Sequence, residues 1–244
     1  MPQVSLFITC LVDQLWPTVG VATVDVLRRA GCSVNFNPGQ TCCGQPAFNT
    51  GYRNDARALA ERWIELYEAD PAEWIVSPSG SCVAMVRHFE ELFPDDAGWR
   101  DRARRVAQRT HELAGFLVNV LGITDLGASF NGKVVWHNAC HALRDLDQRT
   151  EGERLLRAVR GAELLSLDNP EGCCGFGGTF SVKYADISVA IADKKIDDIQ
   201  SVEPDVLVSG DVSCLMHLSG RLARRGSPLR VAHLAEILAG RLDD

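Results

Sequence analysis

Long apolar runs are missing from this 244-residue chain. No stretch approaches the roughly 18 residues that a membrane-spanning helix needs, so no transmembrane segment is expected. The opening MPQVSLFITCLVDQLWP has neither a basic start nor a small-residue cleavage site, and it reads as a first β-strand rather than a secretory leader. Positive charge is also short. Lys and Arg number 25 against 32 Asp and Glu, a formal charge of −7, which argues against nucleic acid as a partner. HExxH is absent and no serine triad stands out. The fragment GFGG at 175–178 falls short of GxGxxG, so a nicotinamide or flavin dinucleotide site is not supported. These absences leave the cytoplasm as the expected compartment, with the inner face of the membrane reached only through partners.

What the chain does have is cysteine, nine residues in all. That is far below the density of a small disulfide scaffold. In a reducing compartment it points to metal binding or thiol chemistry. Setting Cys32 aside as core filler leaves two sets of four: Cys10, Cys42, Cys43 and Cys82, then Cys140, Cys173, Cys174 and Cys214. The steps are 32, 1 and 39 in the first set and 33, 1 and 40 in the second, so corresponding cysteines lie 130–132 residues apart. The surroundings repeat as well. VSLFITC at 4–10 matches VVWHNAC at 134–140, and WIVSPSGSC at 74–82 matches VLVSGDVSC at 206–214. RTHELAGFL at 109–117 matches VAHLAEILA at 231–239 more loosely, each read as the closing helix of its half. The chain is an internal duplication.

Hydrophobic periodicity predicts strands over 4–9, 33–37 and 74–77 and helices over 18–30, 53–68, 82–93 and 100–121 in the first half. In the second half it predicts strands over 133–137, 163–167 and 205–209 and helices over 141–160, 182–200, 214–225 and 232–242. Strands alternating with helices imply parallel sheets covered on both faces. The expected fold is α/β: two three-layer lobes with short parallel sheets, related by a pseudo-twofold axis. Residues 1–127 form the first lobe and 128–244 the second, divided in the small-residue stretch DLGASFNG.

In such a lobe the cysteines fall at strand ends or just past them, and the two CCG runs lie between a strand and a helix. The carboxyl edge of a parallel sheet is where ligands collect, so four thiols should converge there in each lobe. Gly44 and Gly175 allow a sharp turn after each vicinal pair. Four convergent thiolates suit an iron–sulfur cluster, whose soft sulfur ligands are spread over several iron atoms. Zinc is the competing metal, but the chain has no CxxC knuckle of the kind structural zinc sites use. Two other readings stay open at this point: a cluster-independent thiol–disulfide oxidoreductase using the CCG pairs, and a non-enzymatic zinc-binding or scaffold protein.

The runs CLVDQLWP at 10–17, GQTCCGQPAFNTGY at 39–52, PSGSCVAMV at 78–86, CCGFGGTFSVKY at 173–184 and CLMHLSGRL at 214–222 resemble the cysteine-rich CCG-domain iron–sulfur oxidoreductases, specifically the lactate utilization protein A family. The resemblance spans nearly the whole chain. It implies an iron–sulfur electron-transfer subunit of a complex that oxidises L-lactate, or a related 2-hydroxy acid, to pyruvate without NAD. It implies one or two [4Fe-4S] clusters per chain held by the eight paired cysteines. It also implies two partners, a ferredoxin-like iron–sulfur subunit and a third small subunit. The broader CCG pattern ends in CxxC, and here Ser79 and Asp211 stand where its first cysteine would be. Oxygen is a poorer ligand for iron, so each half carries four thiolates rather than five.

Histidines form a second tier. His137 and His141 flank Cys140, where one could tune or ligate a cluster, or both could be ordinary strand-end and helix-start residues. His217 lies three residues past Cys214, on the same helical face. Phe176 and Phe180 could shield the site. Lys183 is read either as a carboxylate contact or as a solvated helix residue.

Overall fold

The fold is described by a computed structural model that covers residues 1–242; Asp243 and Asp244, the end of the expected second lobe, lie outside the described residues. The first half runs β1 (Gln3–Leu6), α1 (Cys10–Leu15), α2 (Pro17–Arg29), β2 (Ser33–Phe36), α3 (Gln45–Thr50), α4 (Arg53–Glu68), β3 (Trp74–Ser77), α5 (Gly80–Arg87), α6 (Ala97–Gln108), β4 (Thr110–Glu112) and the helical turn α7 (Leu113–Gly115). The second half runs β5 (Ser129–His137), α8 (Cys140–Arg144), α9 (Glu151–Arg157), β6 (Arg160–Leu165), α10 (Phe180–Lys183), α11 (Ala185–Gln200), β7 (Val206–Ser209), α12 (Val212–Arg224), β8 (Arg230–His233) and α13 (Leu234–Ala239).

Two four-stranded sheets result, ordered β2-β1-β3-β4 and β6-β5-β7-β8, with every pairing parallel. Burial follows from position in the sheet. The VLVS of β7 is buried throughout, and the edge strand β2 is mostly exposed. Helices cover the faces with amphipathic stripes: α4 buries Ala56, Ala60, Trp63, Ile64 and Tyr67 at helical spacing. Trp63 and Tyr67 close around Phe7 of the β1 end, with ring centroids 5.4 and 5.9 Å from it. Full burial of such a side chain stabilises the fold by about 1.5–3 kcal/mol.

The two halves share one core. Its largest apolar cluster takes Leu6, Val26 and Leu113 from the first half together with Val134, Leu155, Val208 and Leu234 from the second. Helix α2 packs against α13, where Arg29 donates to the Leu238 carbonyl at 2.6 Å. Between the sheets, Ser79 and Asp211 form an antiparallel bridge. These are equivalent positions of the two repeats, so they meet as a local twofold axis requires.

Five expected elements take a different form. The helix expected over 82–93 begins at Gly80 and ends at Arg87, and a separate 3-10 turn follows over Phe89–Leu92. The helix expected over 100–121 ends at Gln108, β4 follows, and the chain turns through α7 into a π-helical turn over Phe116–Val120. The helix expected over 232–242 is instead β8 followed by α13, which Gly240 ends at φ 72°. Each sheet therefore has a fourth strand that the periodicity merges into a helix, because three or four residues are too few to establish an alternation. The helix expected over 141–160 breaks into α8 and α9 around Asp147, which sits at φ 52°. The helix expected over 182–200 is interrupted at Tyr184, with φ −130° and ψ 52°. The fourth strands also correct the repeat alignment. Register places Glu112 beside Ser77 and His233 beside Ser209, so Glu112 rather than His111 is the counterpart of His233.

Candidate metal centre

Each cysteine takes its position from the strand before it. Cys10 and Cys140 open α1 and α8 just past the ends of β1 and β5. Cys82 and Cys214 lie in the first turns of α5 and α12, past β3 and β7. The vicinal pairs sit in the loops after β2 and β6, where Gly44 at φ 83° and Gly175 at φ 88° take the left-handed turn. Such a turn is disfavoured for residues with a Cβ. All eight sulfurs of the two sets thus reach the carboxyl edges of the sheets. All eight residues line a single cavity of about 410 Å³ between the halves. Cys32 is apart from them, 2 % exposed in the shared apolar core, and burial pushes its thiol up.

The two sets make the same chain of sulfur contacts. In the first, Cys10 donates to Cys42 at 3.7 Å. Cys43 also donates to Cys42 and approaches Cys82. In the second, Cys140 donates to Cys173, and Cys174 shares its one thiol proton between Cys173 and Cys214, the latter at 3.2 Å. The Gly44 and Gly175 N–H groups complete the pattern, pointing at Cys42 Sγ (3.4 Å) and Cys173 Sγ (3.3 Å). The acceptor of each chain becomes an easily formed thiolate: hydrogen bonds from its neighbours pull Cys42 down to about 3 and Cys173 down to about 2. The donors shift the other way. Cys10 and Cys140 are raised by those same bonds and by burial, and Cys43 and Cys174 well above the ordinary thiol range. Cys214 comes down to about 6, through its bond from Cys174, with the His137 imidazole adding to the effect.

Ser79 and Asp211 act as helix caps rather than as site donors. Ser79 Oγ accepts from the Cys82 N–H at 3.4 Å. Asp211 Oδ1 accepts the Ser213 N–H at 3.0 Å and its hydroxyl, while Oδ2 accepts the Ser81 N–H at 2.9 Å and the Ser79 hydroxyl at 3.2 Å. Both carboxylate oxygens are committed, Oδ1 to capping α12 and Oδ2 to joining the two halves, and Asp211 is 1 % exposed.

The histidines separate. His141 is half-exposed, with Nδ1 against Asp145 Oδ2. His217 Nε2 pairs with Ser188 Oγ at 3.1 Å, and Ser188 donates to the Gly175 carbonyl at 2.8 Å, so this pair braces the second CCG loop. Ser188 was not evident from sequence; its signal is that the repeat carries Ala56 at that position. His137 is 1 % exposed with no nitrogen or oxygen partner for its ring, and a ring nitrogen lies within 4.8 Å of both Cys174 Sγ and Cys214 Sγ. Phe176 lines the cavity, whereas Lys183 is exposed and does not, and Phe180 packs on Tyr184.

The donor chemistry fits an iron–sulfur cluster. Every set is all-thiol, the sulfurs are gathered at hydrogen-bonding distances, and a cavity lies against them. Duplicated parallel sheets with a thiol set at each carboxyl edge define a class, the proteins with repeated cysteine-rich CCG domains, and the CCG cysteine-rich domain pattern matches residues 4–87 and 134–219. Among curated relatives, a lactate utilization protein A of Exiguobacterium sp. is 49 % identical over 238 residues, covering 98 % of this chain and 97 % of its own. The lactate utilization protein A of Bacillus subtilis is 46 % identical over 239 residues, covering 98 % of this chain and 100 % of its own. The chain belongs to the lactate utilization protein A family. A glutamate racemase of Bacillus anthracis is matched over 99 % of this chain and 80 % of its own, at 9 % identity and a TM-score of 0.39, too slight a likeness to carry an argument. Among the described residues, no helix is long and apolar enough to cross a membrane.

Proposed function

We propose that this chain is an iron–sulfur electron-transfer subunit of a complex that oxidises L-lactate, or a related 2-hydroxy acid, to pyruvate. The reading takes residues 1–127 and 128–244 as two cysteine-rich units. Cys10, Cys42, Cys43 and Cys82 hold a [4Fe-4S] cluster in one, and Cys140, Cys173, Cys174 and Cys214 hold one in the other. A ferredoxin-like iron–sulfur subunit and a small third subunit are its partners. The observation that carries it is the convergence of both four-thiol sets on one cavity, in a chain whose relatives are named for lactate utilization.

A bound cluster supplies the capacity to accept and release single electrons. The chain's own part is to present thiolates and to shape their surroundings. The Gly44 and Gly175 N–H groups and the starts of the cysteine-bearing helices favour the charged sulfur. Phe176 and Leu11 on the cavity wall restrict water. None of the described residues that line the cavity is Lys or Arg. His141 also lines the cavity, but its Nδ1 is taken by the Asp145 carboxylate, so a substrate carboxylate has no free cationic clamp here, which favours electron relay on this chain and lactate dehydrogenation on a partner. The test is anaerobic: the purified chain is oxidised and offered L-lactate, alone and with its partner subunits. Bleaching of its visible absorption only with the partners supports relay. Bleaching by lactate alone moves the dehydrogenation onto this chain, and no bleaching in either arm contradicts the proposal.

A further inference from the structure

The second thiol set has a neighbour that the first lacks. At the end of β1 the residue is Phe7, packed edge-on against Trp63 and Tyr67. At the equivalent end of β5 it is His137. A buried imidazole normally keeps at least one hydrogen bond, yet His137 has no nitrogen or oxygen partner, and the Cys214 sulfur is the polar group its ring leans on. Its backbone is fixed by the β7 pairing and by the Ser209 hydroxyl, which donates to the His137 carbonyl at 2.9 Å. From there a ring nitrogen comes within 4.8 Å of the sulfurs of Cys174 and Cys214. A buried nitrogen whose polar neighbours are two thiol sulfurs stands where a ligand would, since imidazole is a common ligand of iron and zinc.

Asp211 cannot fill the same role. It stands where the broader CCG pattern has a further cysteine, but all its acceptor directions are taken by Ser79, Ser81 and Ser213. The geometry points to His137 as a fifth donor to the metal centre of the second half, so that this centre has four sulfurs and one nitrogen while the first has four sulfurs only. This inference rests on the cluster reading above and makes the two centres chemically unequal: mixed-ligand clusters with imidazole nitrogen differ in spectrum and potential from all-thiolate ones.

The test uses the full chain, purified anaerobically with the Cys43→Ala substitution to empty the first half, and labelled with nitrogen-15 histidine. Pulsed electron spin resonance of the reduced protein should show a directly bonded nitrogen whose coupling changes with the isotope. His137→Phe, which installs the residue of the first half, should abolish that coupling while iron and sulfide stay bound by the four thiols. His141→Ala should leave it in place. A cluster with no strongly coupled histidine nitrogen overturns the inference without any further variant, so a poorly folding His137→Phe does not blunt the test. Coupling that survives His137→Phe overturns it equally. In both cases the iron and sulfide count shows that the cluster reading stands. A chain carrying neither iron nor sulfide overturns both.

Discussion

The two halves share a strand order, a cysteine spacing and a sulfur hydrogen-bond chain, yet the residues packed behind the sulfurs differ. Behind the first set stand Phe7, Ala56 and Met85, all buried and apolar. At the equivalent places behind the second stand His137, Ser188 and His217, an imidazole set against the sulfurs of Cys174 and Cys214 and a hydrogen-bonded pair. Duplication has kept the donors and changed their surroundings. Hydrogen bonds to ligands and local polarity tune a cluster's potential, so under the proposed function the difference would make the two electron sites of one chain unequal. It also explains why Ser79 and Asp211 differ: on the twofold axis two identical residues would meet, and the Ser–Asp pair gives a donor facing an acceptor.

The largest expected effect comes from emptying one half at a time. Cys43→Ala and Cys174→Ala should each remove about half of the bound iron and sulfide, and the spectra that remain should differ from each other. Identical remaining spectra would break the comparison.

Next come the CCG glycines. A Cβ on Gly175 would lie 2.5 Å from the Ser188 carbonyl, whereas on Gly44 the nearest atom is 3.4 Å away, the Ala56 carbonyl. Both positions have positive φ, so Gly44→Ala should cost about 1–2 kcal/mol. Gly175→Ala adds overpacking and should cost roughly 2–5 kcal/mol. Denaturant unfolding of the two variants measures the gap.

The fourth strands offer a comparison in pH. Burial raises Glu112 from 4.5 to about 7, so the folded state binds a proton that the unfolded state releases, and stability falls as pH rises through that window. The total is on the order of 3 kcal/mol. Burial lowers its counterpart His233, so there the unfolded state binds the extra proton, and stability is lost as pH falls below about 6.5. Glu112→Gln keeps the acceptor that caps Gly115 and should remove the first slope while leaving the second, as read by unfolding midpoints between pH 4.5 and 7.

The smallest effect belongs to Cys32, which lies outside both sets. Cys32→Ala should leave iron and sulfide unchanged and cost about 1 kcal/mol for the lost core volume.

Much of this was legible in the chain. The repeated cysteine spacing picked out the two thiol sets that the fold gathers on one cavity, because duplication preserves intervals even where other residues drift. The alternation of apolar runs with amphipathic segments was enough to place strands β1, β3, β5 and β7, since buried parallel strands leave continuous apolar stretches. The three-residue β4 and the strand β8 were hidden because each runs directly into a helix with no turn residue between them. The role of Asp211 was not legible, and the sequence offered a ligand role for His137 only beside that of an ordinary strand-end residue, because both depend on contacts across long separations. Asp211 meets Ser79 132 residues away, and His137 meets sulfurs brought in by two later loops.

The most direct test of the central claim is a count of iron, acid-labile sulfide and zinc in the anaerobically purified chain, with electron spin resonance before and after reduction. The account predicts iron and sulfide in near-equal amounts, up to two clusters per chain, little zinc, and a signal that appears or changes on reduction. Stoichiometric zinc, or a colourless chain without iron or sulfide, would contradict it.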